Sequence, residues 1–231
     1  EYGGGNWITN NTVTDAYDAF YIYIEQGDHV TGNKAKGYSS YGFYDYESGD
    51  QTYMNNLADA MGDGGSTGFR MRCDEYGWVT LRNNTSTGNS TWGFEVYECY
   101  DYYSYSSFTP SIIDGNTAND NFGGGFYDYY SLQAKYTNNT ANRNGDEGFY
   151  MDYPGGITFT GNVANRNGDD GIEFDDMGYG MYGNPKVVSN NTAKYNDDYG
   201  IYAEYGIANA TGNVARNNGT SPDDCWNVAC N

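Results

Sequence analysis

The sequence is poor in the residues on which most metal centres and nucleic-acid interfaces depend. Its 231 residues include one histidine, His29, four cysteines without a Cys-x-x-Cys spacing, and 11 basic against 31 acidic residues. The lone histidine and the cysteine spacing argue against a zinc site. The net charge of −20 argues against nucleic acid and anionic lipid as partners, because a phosphate polymer would be repelled.

Long apolar runs are also missing. No stretch approaches the roughly 20 apolar residues of a membrane span, so no membrane insertion is predicted. The chain begins at Glu1, without a methionine or a basic and apolar signal segment, which is typical of a processed chain or of a chain cut elsewhere. Nothing breaks the sequence pattern for long enough to be a linker, so residues 1–231 are predicted to form a single domain.

Glycine and asparagine are abundant, and one asparagine recurs at nine anchor positions, each preceded by Gly or Asn. The intervals between anchors are 22, 23, 28, 32, 23, 23, 29 and 22 residues. The anchors are Asn11, Asn33, Asn56, Asn84, Asn116, Asn139, Asn162, Asn191 and Asn213. Self-similarity at such a period predicts a solenoid, in which each repeat buries its apolar face by stacking on its neighbours.

The pattern after each anchor is that of strands. About ten residues on, Gly or Ala precedes an apolar column, and apolar and polar residues then alternate with period two. The column is Phe20, Phe43, Phe69, Phe94, Phe126, Phe149, Ile172 and Ile201. We predict an all-β, single-domain parallel β-helix of about nine coils of 22–23 residues, with loop insertions around residues 60–67, 98–111 and 176–186.

The residues around the anchors predict how the coils turn and stack. A Gly or Asn before every anchor predicts a corner with positive φ, which these two residues accept most readily. A small residue two positions after the anchor is predicted to point inward. Stacked asparagines are expected to form hydrogen-bonded ladders along the axis. A second such column is Asn89, Asn121, Asn144, Asn167, Asn196 and Asn218.

Two resemblances follow from these units. Residues 115–121 (GNTANDN) and 161–167 (GNVANRN) resemble right-handed parallel β-helix repeats, which occur in polysaccharide-processing enzymes and in many archaeal and bacterial surface proteins. The acidity, the many tyrosines and the Asn- and Gly-rich coils also resemble the amyloid-like sheath proteins of filamentous methanogenic archaea. The first resemblance implies a fold, and fold alone does not fix function.

The four cysteines bear on the compartment. Cys73 and Cys99 fall at nearly the same place in consecutive coils, within disulfide reach on neighbouring strands, and Cys225 and Cys230 are spaced to close a short loop. Disulfides predict an oxidising, extracellular location at the cell surface. Free thiols, or a terminal pair that bridges two subunits, are the alternatives.

Tyrosines dominate two columns predicted to face outward beside the apolar column. Such a face suits contacts between protein copies or stacking against sugars, and plain β-propensity explains it equally. Arg70, Arg72, Glu95 and Glu173 interrupt the columns and are expected to form cross-strand pairs. The lateral-contact candidates are Tyr21, Tyr44, Tyr127, Tyr150, Tyr202, Tyr23, Tyr46, Tyr97 and Tyr129.

Acidic residues supply the candidates for catalysis or cation binding. Asp45 and Asp128 interrupt an inward column and are predicted to face solvent, because a buried unpaired carboxylate is costly. The acidic set in the later coils is Asp169, Asp170, Glu173, Asp175, Asp176, Asp197 and Asp198. Paired carboxylates hydrolyse glycosides at the right spacing, and a structural Ca²⁺ is a further option, although turns favour Asp without any site.

Eight asparagines begin an N-x-S/T sequon, and the corner residues Asn10, Asn83, Asn138 and Asn190 are the glycosylation candidates expected to be most exposed.

No helical cap is evident at either end of the repeat, and an uncovered edge strand invites pairing with another chain. We therefore predict an extracellular structural protein that is not an enzyme, has no catalytic residue and needs no cofactor. Its partners would be copies of itself, stacked end to end as a homopolymer, and other cell-envelope components of a sheath or surface layer. The alternative is a secreted carbohydrate-active lyase or hydrolase, or a carbohydrate-binding β-helix.

Overall fold

The computed structural model describes residues 4–61, 66–73, 77–100, 109–176, 185–219 and 224–231. In chain order the strands are β1 (Trp7–Thr9), β2 (Thr12–Thr14), β3 (Asp18–Tyr23), β4 (His29–Thr31), β5 (Lys34–Lys36), β6 (Tyr41–Tyr46), β7 (Gln51–Met54), β8 (Leu57–Asp59), β9 (Thr67–Arg72), β10 (Val79–Arg82), β11 (Thr85–Thr87), β12 (Phe94–Tyr97), β13 (Ile112–Asp114), β14 (Thr117–Asn119), β15 (Phe126–Tyr129), β16 (Lys135–Thr137), β17 (Thr140–Asn142), β18 (Phe149–Asp152), β19 (Thr158–Thr160), β20 (Val163–Asn165), β21 (Ile172–Asp175), β22 (Val187–Ser189), β23 (Thr192–Lys194), β24 (Ile201–Ala203), β25 (Ala210–Thr211), β26 (Val214–Arg216) and β27 (Cys225–Trp226).

Every third strand joins the same sheet, so the described residues form three parallel sheets of nine strands each. The first sheet runs from β1 through β4 to β25, the second from β2 to β26 and the third from β3 to β27. Three strands per coil and nine coils are the parallel β-helix that the sequence predicts. None of the described residues forms a helix long and apolar enough to cross a membrane. The predicted loop insertions fall largely on 62–65, 101–108 and 177–184, outside the described residues.

The corners have the predicted backbone. All nine residues before the anchors have positive φ, from 53° at Asn83 to 70° at Gly161. This conformation turns the chain from the first sheet into the second within two residues, and Gly and Asn tolerate it best.

Both asparagine columns form ladders inside the corners. Asn116 is typical: its backbone N–H and its Nδ2 both donate to Oδ1 of Asn139 in the next coil, at 2.9 and 3.1 Å. The same Nδ2 also donates to the carbonyl of Leu81 at 2.8 Å. Because these side chains are buried, the ladder supplies partners for polar groups that would otherwise be unsatisfied.

The core is built from stacked columns. From Phe20 to Phe149, successive phenylalanines of the third sheet stack with ring centroids 4.6–4.7 Å apart. Small residues of the second sheet face them, and Ala118, Ala141 and Ala164 are fully buried, as predicted. The in-register spacing of parallel strands sets the ring separation, so identical residues pack identically in every coil.

All four cysteines are paired. Cys73 bonds Cys99 within the core, and Cys225 bonds Cys230 after the last coil. The disulfide prediction is confirmed, and both the free-thiol and the intersubunit alternatives are wrong. Strand β27 pairs with β24, and Cys230 bridges to Asn213, so this C-terminal segment covers the last coil in the manner of a cap.

The prediction that Asp45 and Asp128 face solvent is wrong, because both carboxyl groups are buried inside the coil. The Tyr53 hydroxyl donates to Asp45 at 3.0 Å, and the Tyr136 hydroxyl donates to Asp128 at 2.5 Å. Each tyrosine lies eight residues further on, on the first-sheet strand that comes next in the chain. Burial raises the pKa of both aspartates to about 7.

Candidate functional site

The outer face of the third sheet carries the two outward columns that the sequence predicts. Their side chains are mostly half-buried, because neighbours in successive coils lie against one another. The rings of Tyr127 and Tyr150 stack at 5.4 Å, and those of Tyr23 and Tyr46 at 5.6 Å. The face therefore carries aromatic rings along the helix axis, interrupted at Arg70, Arg72 and Glu95.

Arginines anchor the N-terminal part of this face. Arg70 on β9 forms an ion pair with Glu95 on β12 at 3.3 Å, and its guanidinium lies 5.2 Å from the Tyr97 ring centroid. Arg72 lies over the Tyr46 ring at 5.1 Å. The Arg70–Glu95 pair confirms one expected cross-strand contact and fixes the strand register, and Arg72 packs on an aromatic ring.

Further along the axis, tyrosines and aspartates are joined diagonally between coils. The Tyr127 hydroxyl donates to Asp152 at 3.4 Å, and the Tyr150 hydroxyl donates to Asp175 at 3.3 Å. The Trp92 ring stacks over Tyr127 at 5.3 Å, so it borders the same surface. The contact repeats because Tyr and Asp occupy positions i and i+2 of successive strands.

Carboxyl groups concentrate where the tyrosines end. Glu173 on β21 pairs in register with Tyr150 on one side and Tyr202 on the other. Burial, then the nearby carboxylates of Asp170 and Glu147, raise the pKa of Glu173 to about 8. Burial, then Asp176 and Asp175, raise the pKa of Asp152 to about 6. Among the described residues no basic side chain forms an ion pair with Glu173, Asp152 or Asp175.

A second acidic group lies at the corner that leads into β21. Oxygen atoms of Asp169, Asp170 and Asp198 lie within 4.8 Å of one another. Asp170 is buried and accepts the Tyr199 N–H at 2.6 Å, and burial followed by its acidic neighbours raises its pKa to about 7. Carboxylate oxygens are ligands that Ca²⁺ prefers, and a structural Ca²⁺ at this corner stays a prediction.

The remaining candidates lie elsewhere. Asp197 belongs to a groove at the second corner, and Asp176 contacts Tyr153 rather than the Asp169 group. The glycosylation candidates Asn10, Asn83, Asn138 and Asn190 are exposed on the first corner, away from the third sheet. Glycosylation there stays a prediction.

Sequence reasoning missed Trp92 and Glu147. Each stands two positions before the apolar column, directly before the glycine. None of the columns predicted from the sequence includes this position. A column drawn through it would have found Trp92, Glu147 and Asp170 in coils four, six and seven.

A family model described as the right-handed beta helix region matches residues 1–108 and 100–218. The chain belongs to the right-handed β-helix family. No curated protein matches this sequence. Among solved structures, the A-module of the Azotobacter vinelandii mannuronan C-5 epimerase AlgE4 is similar, with 15% identity and a TM-score of 0.52. The match covers 88% of this chain and 61% of the AlgE4 A-module chain.

A double mutant of the periplasmic alginate epimerase AlgG is similar at 16% identity and TM-score 0.52, covering 98% of this β-helix chain and 68% of its own. At such identities the likeness shows the fold. The prediction that the protein is not an enzyme is contradicted by these comparisons, because both of these similar structures are epimerases.

Proposed function

We propose that this β-helix protein is a secreted, carbohydrate-active enzyme that hydrolyses a glycan lying along the outer face of the third sheet. One observation carries the proposal. Glu173, with its pKa raised to about 8, and Asp175 point outward from β21 at the end of a tyrosine-lined surface. In glycoside hydrolases, two carboxyl groups in unlike environments act one as the general acid and the other as the general base.

The roles follow from the contacts. Glu173 is protonated at neutral pH and donates its proton to the glycosidic oxygen. Asp175 accepts a hydrogen bond from the Tyr150 hydroxyl, which orients the carboxylate, and it takes the proton of the attacking water. Side chains at i and i+2 of a strand begin roughly 7 Å apart, which fits the wider carboxyl separation of inverting hydrolases.

The surface also indicates the substrate class. Trp92, Tyr127 and Tyr150 offer stacked rings on which pyranose faces pack. Outward positions of β15, β18, β21 and β24 carry Tyr, Asp and Glu and no basic residue. An acidic polymer would be repelled there, so we propose an uncharged polysaccharide.

The test compares the parent with the Glu173→Gln and Asp175→Asn variants in the hydrolysis of neutral polysaccharides. Hydrolysis is measured as the release of reducing ends. Loss of a general acid or base is expected to lower kcat about 10²- to 10⁴-fold. The parent is expected to lose activity as the pH rises through about 8, where Glu173 deprotonates, and Glu173→Gln to lose this limb of the profile. Glu25→Gln, an acid distant from β21, serves as the matched control.

Unchanged turnover in Glu173→Gln would overturn the assignment. A uronate polymer is tested as a second substrate: products that absorb in the ultraviolet as unsaturated uronates, or uronates of inverted configuration at C5, would replace hydrolysis by elimination or epimerisation. Either product would also show that the acidic face accepts a charged polymer.

A further inference from the structure

A groove runs along the second corner, on the outside of the turn from the second sheet into the third. Its volume is about 460 Å³ and it spans four coils. Its lining comprises Asp120, Asn121, Phe122, Arg143, Asn144, Gly145, Arg166, Asn167, Gly168, Tyr195 and Asp197. Its lining includes neither Glu173 nor Asp175, so it is distinct from the proposed active site.

The groove exists because two glycines interrupt a column of side chains. In the column that contains Phe122 and Asp197, the two intervening coils have Gly145 and Gly168. A Cβ at Gly145 would meet the Phe122 carbonyl oxygen at 1.9 Å, so stacking of the backbones requires glycine there. The missing side chains leave a gap about 10 Å long, two coil spacings along the axis.

Aromatic rings stand at the two ends of this gap. Phe122 is 68% exposed at one end, and Tyr195 is 51% exposed at the other. The Arg166 guanidinium lies over the Tyr195 ring, 5.4 Å from its centroid, so a cation–π contact joins two side chains of the groove lining. Both aromatic rings belong to the lining and are exposed, so they offer apolar surface to a ligand in the groove.

The polar groups of the groove balance in charge. Arg143 donates to both carboxylate oxygens of Asp120 at 2.7 Å, and Arg166 and Asp197 add one charge of each sign. On a chain of net charge −20 this groove is locally neutral. Within the described part of the chain, the Arg166 guanidinium has no carboxylate partner, which leaves its N–H groups available to a ligand.

We propose that this groove is a second saccharide-binding site, which holds one or two uncharged sugar units between Phe122 and Tyr195. Pyranose faces are apolar and their rims carry hydroxyls, so they match rings at the ends and Arg and Asp side chains along the wall. The site would tether the polysaccharide to the molecule without taking part in its cleavage. The choice of an uncharged sugar rests partly on the function proposed above, whereas the existence of the site does not.

The test is calorimetric titration of the full chain with cellohexaose, xylohexaose and a mannuronate hexamer, in the Glu173→Gln background so that no probe is cleaved. Tyr195→Ala and Phe122→Ala are each expected to weaken binding of a neutral probe about tenfold, which corresponds to 1.4 kcal/mol. Arg166→Ala is expected to weaken it similarly. Tyr195→Phe keeps the ring and is expected to bind as the parent does, and Tyr17→Ala removes an exposed ring outside the groove as the control.

Binding unaffected by Tyr195→Ala and Phe122→Ala, saturable binding of the mannuronate probe alone, or no saturable binding of any probe would each overturn the proposal. The two proposals fail separately. If Glu173→Gln keeps full turnover while Tyr195→Ala weakens binding, the active-site assignment falls and the groove stands. If Glu173→Gln loses turnover while Tyr195→Ala leaves binding unchanged, the groove proposal alone is overturned.

Discussion

Two aspartates inside the coil show what single residues contribute to this fold. Asp45 and Asp128 each receive a tyrosine hydroxyl from the opposite wall, and Asp128 also accepts the Ser131 N–H at 3.1 Å. The sequence shows that an acid interrupts an apolar column, but not that a phenol eight residues later reaches back across the coil. The pairing depends on the coil's width, which no local pattern encodes.

These buried carboxyl groups predict a pH dependence of stability. In the folded chain Asp128 has a pKa of about 7 against 3.8 when unfolded. The stability that it contributes is therefore complete below pH 3.8 and is lost as the pH rises through 7. Urea unfolding midpoints of the parent are expected to fall between pH 5 and 8.

Asp128→Asn is expected to flatten this fall, because an amide keeps a hydrogen bond to Tyr136 and cannot ionise. Asp120→Asn, at an exposed acid whose pKa is lowered by the hydrogen bond from Arg143, is the control and should leave the fall unchanged. A slope in Asp128→Asn equal to that of the parent would show that other groups cause the pH dependence.

At the scale of elements, the asparagine ladders tie each corner to the next. Corner residues and anchors follow from sequence because glycine, asparagine and the anchor keep a fixed spacing. Strand register follows for the same reason. The partners of Glu173 do not follow, since they lie in other coils and at a corner, where intervals of 22 to 32 residues obscure which positions become neighbours.

Asn139→Ala, in the middle of the first asparagine ladder, is expected to lower the free energy of unfolding more than Asn11→Ala at the N-terminal end of that ladder. Asn139 accepts both the backbone N–H and the Nδ2 of Asn116 and is fully buried. Its loss leaves two buried donors without an acceptor, so the free energy of unfolding is expected to fall by roughly 3 kcal/mol. Asn11→Ala removes an exposed member of the same ladder that accepts from no earlier described coil, and is expected to cost under about 1 kcal/mol. Equal losses, measured by chemical denaturation, would contradict the ladder's role.

On the scale of the whole molecule, each coil contacts mainly its two neighbours, so stability is distributed along one dimension. The disulfide connectivity stays open in the sequence, where free thiols and an intersubunit bridge are alternatives. The fold class follows from the sequence, because every coil repeats the same residue pattern. Function does not, because carboxyl spacing and burial emerge only after stacking. The non-enzymatic prediction rested on the lack of a catalytic motif. The proposed acid and base, Glu173 and Asp175, lie on one strand, but the rings and carboxyl groups around them come from other coils, so no local motif marks the face.

The internal disulfide is expected to matter more to this one-dimensional stability than the terminal one. Cys73 and Cys99 enclose a sequence separation of 26 residues, whereas Cys225 and Cys230 enclose 5. Loop-closure entropy predicts losses of about 3.5 and about 2 kcal/mol for the paired serine variants. Hydrogen exchange should show faster opening around β9 and β12 in Cys73→Ser/Cys99→Ser, and only around β24 and β27 in the terminal variant. Uniform acceleration in both would argue against stability distributed by coil.

The asparagine ladders have a direction as well as a length. Along both ladders the side-chain oxygen accepts from the preceding coil, whereas the backbone N–H and one Nδ2 hydrogen donate to the following coil, so these bonds point their donors toward the C-terminal side of the stack. The second column terminates on Asp224, whose carboxylate accepts both the N–H and the Nδ2 of Asn218 at 2.9 Å. The Asp224 carboxylate thus accepts the last donors of the column, as an anion accepts the free N–H groups at the N-terminus of an α-helix. Here the polarised column consists of side chains.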